Sequence, residues 1–401
     1  MRRLLLLTYT FPPDNMAAAA RPGQLYRYLP ENGYQPIVVA SSRDVSLIEH
    51  QFVHCVPAPD VTAGISLASA LARWFMRFGA PYNDRLPWVP HAATAGARLV
   101  RAHSVSAIYS TSPFLASHLA ALWLKVRFDL PWIADFQDPV RDNPFRTRRW
   151  AYPYDALIEY SIFRYADRLV ANTDTVAAAW RNRYPQWEKK ISVLWNSFDH
   201  LEEIGPGPAP ERPYRVLAHI GGLYGGRHPG SLLTTLERLR VDASAIRLRL
   251  VGPIDSKILA DQRPLFDRMC QSGRLEFDNR MVPRQEALRE AAQANYLLLL
   301  DLNERNASFQ VPSKLLDYVR AGKPILAYTP KNSPVERILA RSGIPHVTIA
   351  PGTPEAIGDQ QIVEFLRSPP ELCHASPWFE ETFSAKTQAQ TVAGLLNGLL
   401  A

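Results

Sequence analysis

Cysteine is scarce in this chain: Cys55, Cys270 and Cys373 are the only three among 401 residues, and they lie far apart. Three such thiols build no disulfide framework and offer no zinc spacing, and they suit a reducing compartment. Long apolar runs are missing too, since none approaches the roughly 20 residues of a membrane span. Met1-Arg2-Arg3 followed by Leu4 to Leu7 has the basic start of a signal peptide. Its apolar part is shorter than the roughly seven residues such a segment needs, so it reads as a first buried strand. Gly-x-Gly-x-x-Gly and the P-loop pattern Gly-x4-Gly-Lys-Ser/Thr are both absent, which removes the usual support for dinucleotide or P-loop binding. No long Lys/Arg run occurs, so the net charge of +7 argues little for nucleic acid.

What is present describes a globular protein, 47% hydrophobic and 21% charged. A chain of 401 residues is too long for one ordinary core, so two domains are expected. A pI near 9.3 gives a surface that attracts anions: nucleotide phosphates or an anionic leaflet. The order of elements begins strand (Leu4 to Thr8), Pro12-Pro13 turn, helix (Asn15 to Leu29), strand (Ile37 to Ala40). Strands follow at Ala107 to Ser110, Trp132 to Phe136, Arg168 to Asn172 and Ile191 to Trp195. This is a Rossmann-like half. Asp135 and Asp138 fall at a strand's carboxyl end, where carboxylates accept sugar hydroxyls, act as a base, or simply cap a loop. His118 lies inside the helix that follows Ser112-Pro113 and reads as a packed histidine first and a functional one second. Between Leu67 and Pro90 aromatic residues alternate with Arg73, Arg77 and Arg85, either an irregular insertion or a stretch suited to an anionic membrane surface.

Residues 205–213 are a Pro/Gly linker, so the boundaries expected are 1–204, 205–213, 214–375 and a terminal helix over 376–401. The second α/β series opens at Arg215 to Ile220 and runs into the most glycine-dense stretch, Gly221 to Gly230. Successive backbone N–H groups freed by glycine form an anion nest, and Arg227 beside a helix start is a phosphate donor. The segment from Phe309 to Leu326 is the most informative. Tyr296 to Leu302 reads as the buried strand before it, Pro312 opens a short helix, Gly322 and Pro324 end it, and Ile325 starts the next strand. Lys314, Asp317 and Arg320 fall three apart on that helix, and its start lies where open α/β sheets bind ligands.

Several strings, in order, resemble the retaining glycosyltransferase family 4 of the GT-B fold, of the bacterial polysaccharide and lipid-linked glycan type. They are Phe11-Pro12-Pro13, Gly33-Tyr34, Pro131 to Asp138, Asn196 to Asp199, Gly221 to Arg227 and Pro312 to Pro324. The resemblance implies an α/β protein of two Rossmann-like domains with a cleft between them and a C-terminal helix returning to the first. It implies that Gly221, Gly222 and Arg227 hold the donor diphosphate, that Lys314 reaches phosphate or sugar, and that Asp317 holds the ribose. Arg280, Met281 and Val282 would lie against the base, and Asn15 would stand near acceptor and diphosphate. Three positions depart from the family pattern: Phe309 replaces its first motif Glu, Gly222 its loop Arg, and Gln137 its His.

The expectation is therefore a hexosyl- or N-acetylhexosaminyl-type glycosyltransferase using a nucleotide-sugar, UDP- before GDP-linked, with a glycan or lipid-linked acceptor. Asp138, Arg227 and Lys314 are the expected catalytic residues. The absence of an Asp-x-Asp pair agrees with a metal-free reaction, and no cofactor is expected. The protein is expected in the cytoplasm, or held peripherally on the inner face of the membrane. A sugar-nucleotide epimerase and an inactive scaffold of the same fold remain the alternatives.

Overall fold

The computed structural model describes residues 1–14, 16–41, 51–58, 84–143, 146, 148–202, 204, 209–224, 227, 229–238, 246–301 and 309–401. The chain forms two compact units, Met1–Asp199 with Ser384–Ala401, and His200–Phe383. The first runs β1 (Arg2–Thr8), α1 (Ala17–Tyr28), β2 (Tyr34–Ser41), β3 (Val53–Val56), α2 (Val89–His103), β4 (Val105–Thr111), α3 (Leu115–Phe128), β5 (Trp132–Phe136), α4 (Tyr152–Tyr165), β6 (Arg168–Ala171), α5 (Asp174–Arg183) and β7 (Ile191–Val193). Its sheet is parallel throughout, in the order β3-β2-β1-β4-β5-β6-β7. Parallel strands are covered on both faces, which is why Leu4 to Leu7 form a continuous apolar run and are wholly buried.

The second unit runs β8 (Arg215–Ile220), α6 (Gly230–Arg238), β9 (Ile246–Val251), α7 (Ser256–Gln271), β10 (Leu275–Asp278), α8 (Arg284–Gln293), β11 (Tyr296–Leu300), α9 (Lys314–Arg320), β12 (Ile325–Tyr328), α10 (Pro334–Arg341), β13 (His346–Ile349), α11 (Glu355–Arg367) and α12 (Pro377–Phe383). Its parallel sheet has the order β10-β9-β8-β11-β12-β13. In each sheet the connections run to one side and then restart beside the first strand. The switch points are β1/β4 and β8/β11, and the crevice at the carboxyl ends of such a strand pair is where ligands bind.

The single terminal helix expected over 376–401 is two helices. A last one, α13 (Ala385–Leu400), belongs to the first unit and is separated from α12 by Ser384. Ser384 breaks the run because its hydroxyl accepts from the Thr387 N–H at 3.1 Å, an N-cap. Ala385 N–H donates to Phe198 O, so the chain re-enters the first unit beside the point where it left. Val392 and Leu396 of α13 then complete the core around Leu4, Leu25 and Leu29.

Of the expected Leu67–Pro90 membrane stretch, residues 67–83 lie outside the described residues. Its described end turns inward: Trp88 is buried and donates from Nε1 to Val56 O at 3.2 Å. Among the described residues no helix is long and apolar enough to cross a membrane.

Candidate functional site

The second switch point assembles from the ends of β8 and β11. Gly221 follows β8 with φ +124°, a conformation that favours glycine. A side chain there would place its Cβ 2.7 Å from Lys314 Nζ. Gly252, at the end of β9 with φ +131°, would press a Cβ to 2.7 Å from the Gly221 carbonyl carbon. The two glycines let adjacent strand ends abut while the lysine crosses above them. Gly221 N–H donates to Val251 O at 2.7 Å and Leu223 N–H to Pro253 O at 2.9 Å. These two amides therefore extend the sheet, so within the nest expected over Gly221 to Gly230 the Gly221 and Leu223 N–H groups are already engaged. What Gly221 supplies is room for Lys314.

Helix α9 begins at Lys314 rather than Pro312. Tyr318, one turn on, accepts the Ile220 N–H at 2.8 Å and fixes the end of β8 against the helix. Lys314 Nζ lies 3.1 Å from Nε2 of the fully buried His219, whose Nδ1 is 2.8 Å from Leu298 O. A carbonyl only accepts, so Nδ1 carries the proton and Nε2 receives the lysine's. Burial, with Lys314 beside it, holds the imidazole well below its usual pKa, hence neutral. Burial first, and then the neighbouring Arg227, brings Lys314 down to about 7. Arg227 is itself buried, with Nη1 2.7 Å from the Tyr224 hydroxyl and its guanidinium 5.1 Å over that ring. Its Nε is buried without a partner among the described residues. Two cations that repel each other, one on a neutral imidazole and one with an unmet donor, are stabilised when an anion arrives.

The other expected residues stand apart from this pair. Asp317 is buried and accepts from both Arg284 nitrogens, at 2.6 and 2.7 Å. Arg284 also grips Glu202, at 3.1 and 2.7 Å, and Arg320 Nη2 donates to Glu202 O at 3.0 Å. The charged face of α9 is thus a clamp on Glu202, Ile204 and the start of α8. Asp317 makes its ion pair with Arg284 and acts on Lys314 through its charge. Arg280 to Val282 follow β10, the outermost strand. Arg280 is engaged by Asp278 at 2.8 Å and by Glu286, Met281 projects into solvent and Val282 is half-buried. Asn15 lies outside the described residues.

In the first unit Asp138 is half-buried in the bend after β5. Asp135 is structural: its Oδ1 is 2.5 Å from Arg21 Nη1 and its Oδ2 accepts from Thr111 at 2.8 Å. Gln137 donates to Ala18 O and to Thr111 Oγ1, tying β5 to the start of α1. At the β1/β4 switch point the Arg85 guanidinium lies 5.2 Å over the Tyr9 ring and 5.3 Å over that of Phe114. His118 is a core residue. It is fully buried, bonded to Ser110 Oγ through Nδ1 at 2.8 Å, and brought by burial to about 3.

Residues 17–196 match the family model described as a glycosyl transferase 4-like domain. No curated protein matches the chain. Solved structures do, along the whole length. Sucrose-phosphate synthase from Thermosynechococcus elongatus is 13% identical with a TM-score of 0.70, covering 100% of this chain and 99% of the other. Anabaena HepE, solved with UDP and glucose, is 13% identical with a TM-score of 0.62, covering 99% and 100%. The lipopolysaccharide outer core galactosyltransferase WaaB is 12% identical with a TM-score of 0.65, covering 99% of each. The chain has the GT-B fold of these structures, and its first unit holds the stretch that matches the glycosyl transferase 4-like model.

Proposed function

We propose that the protein transfers a hexosyl or N-acetylhexosaminyl group from a UDP-sugar to a glycan or lipid-linked acceptor, with retention at the anomeric carbon. The observation that carries this reading is the Lys314–Arg227 pair around Gly221 at the β8/β11 switch point. Two convergent cations at that crevice match a diphosphate in charge. As the sugar–phosphate bond breaks, negative charge grows on the departing diphosphate, and cations already in place stabilise it without reorganising. UDP is the favoured base because HepE, among the similar structures, was solved with UDP and with UDP-glucose.

The loop at Arg280 to Val282 contributes backbone groups to the base, since the Arg280 side chain is already occupied by two carboxylates. Asp317 acts at one remove, by holding Arg284 at the start of α8. Asp138 in the first unit orients acceptor hydroxyls, and the Arg85 guanidinium stacked on Tyr9 and Phe114 offers that unit a cation for an acidic acceptor. A second reading, nucleotide-sugar binding without transfer, is favoured by Phe309 at the position where the resembled family has Glu.

Release of nucleoside diphosphate from a panel of UDP- and GDP-sugars, with membrane glycolipid extract as acceptor, tests the proposal. The expected result is release from UDP-sugars that Arg227→Gln lowers about 10- to 100-fold, one charge-assisted contact being worth roughly 1.5–3 kcal/mol. Binding of UDP-sugar with no release under any acceptor selects the second reading. No binding of any nucleotide overturns both.

A further inference from the structure

Helix α4 buries its acids beside Ile158, Ile162 and Phe163 and leaves other apolar residues in solvent. Its only acids, Asp155 and Glu159, point inward. Asp155 Oδ1 is 2.5 Å from Arg146 Nη2, and Glu159 Oε1 is 3.2 Å from Arg183 Nη1 and 3.0 Å from the Tyr184 hydroxyl. Pro153, Leu157, Tyr160 and Arg164, spaced as one helical stripe, face solvent. Leu157 is 66% exposed. Just before the helix, Arg148, Arg149 and Trp150 are exposed as well, Trp150 by 58%. The neighbouring α3 turns Trp123, Val126 and Arg127 outward. Among the described residues the acids near this face lie at its margins: Asp129 and the partly exposed Asp167, 3.6 and 3.1 Å from Lys125, and Glu188 in the turn before β7.

We infer that the α3–α4 face docks on an anionic lipid surface. Tyrosine and tryptophan interleaved with arginine is the composition that settles at the headgroup level, with apolar rings in the acyl boundary and guanidinium groups on lipid phosphates. Each arginine adds attraction to an anionic leaflet. A second copy of this chain is a poor occupant, because a two-fold contact would set Arg149 and Arg164 against their own kind with no carboxylate on the face to meet them. The inference extends the proposed function, since a lipid-linked acceptor is presented at such a surface. It places a membrane contact on this face, apart from the one expected at residues 67–90.

Flotation of the full chain with vesicles of phosphatidylcholine alone, or mixed in equal parts with phosphatidylglycerol, tests it. The expected result is binding to the mixed vesicles at low salt. Leu157→Asp with Tyr160→Asp, and separately Arg149→Glu with Arg164→Glu, are each expected to weaken it by about tenfold or more. The melting temperature is read alongside, and Arg149→Glu alone, outside the helix, keeps the test if a helix variant unfolds. No binding of the wild type at low salt overturns the inference, as does binding that neither pair weakens. A concentration-dependent dimer abolished by the same substitutions also overturns it. UDP binding is measured on the same samples. A chain that binds UDP but not vesicles sinks this inference alone, and one that binds vesicles but no nucleotide sinks the proposed function alone.

Discussion

Lys314 Nζ and His219 Nε2 are 3.1 Å apart, and the imidazole is locked by Leu298 O into the tautomer that can only accept from the lysine. The imidazole therefore positions the ammonium without adding a charge of its own, while the carboxylates of Asp301 and Asp317 favour the lysine's charged form. Replacing His219 by Phe removes this acceptor. The expected outcome is weaker UDP binding with a fold that still melts cooperatively, read by calorimetry against the melting curve.

The lysine's lowered pKa has two consequences of opposite sign. In the unliganded protein the folded lysine titrates near 7 and the unfolded one near its ordinary 10.5. Between those values the unfolded chain holds the extra proton, so stability rises with pH across that window. Diphosphate binding needs the charged lysine, so UDP affinity falls as pH climbs above about 7. Lys314→Met is expected to flatten both profiles, as measured by melts and UDP titrations at stepped pH.

Gly221→Ala and Gly252→Ala separate function from folding. At Gly221 the new methyl meets the far end of the flexible Lys314 side chain, and the positive φ adds about 1 kcal/mol of strain. At Gly252 it meets Gly221 backbone, which cannot step aside. The expected result is lost UDP affinity with a modest drop in melting temperature for Gly221→Ala, and a much larger drop for Gly252→Ala.

Asp317→Asn discriminates a clamp from a ribose ligand. The change leaves Arg284 with Glu202 alone. Arg284 is about half exposed, so solvent screening holds the expected loss to about 1–2 kcal/mol. A lower melting temperature with unchanged UDP affinity fits the clamp. Unchanged melting with weaker UDP binding would restore the ribose role.

His118 is expected to make the first unit acid-sensitive. It takes up no proton until about pH 3 when folded, whereas the unfolded chain protonates it near 6.5. As pH falls through that window the folded state loses up to about 1.4 kcal/mol per pH unit from this residue. Urea unfolding of wild type and His118→Asn at stepped pH checks the slope, which should be shallower in the variant.

Much of this was legible in the sequence, for physical reasons. Parallel strands buried on both faces leave unbroken apolar runs, so Leu4–Leu7 and Tyr296–Leu300 stood out. Gly322, in the left-handed conformation with φ +68°, marked the end of α9. Helix α4 was not legible, because its apolar residues face both core and solvent while its acids face in, and no stripe remains to be read. Nor was the His219 contact. A histidine one residue before a strand's end carries no local signal, and its partner lies 95 positions away. Asp317 was placed on the right helix, but its pairing with Arg284 depends on how α8 and α9 pack.

The most direct test of the donor site is isothermal titration of UDP into wild type, Lys314→Met and Arg227→Gln at pH 6.5 and ionic strength held constant. The expected result is binding by wild type that each substitution weakens about 10- to 100-fold. Wild-type binding of UDP that neither substitution changes would contradict a diphosphate site at Gly221, Arg227 and Lys314.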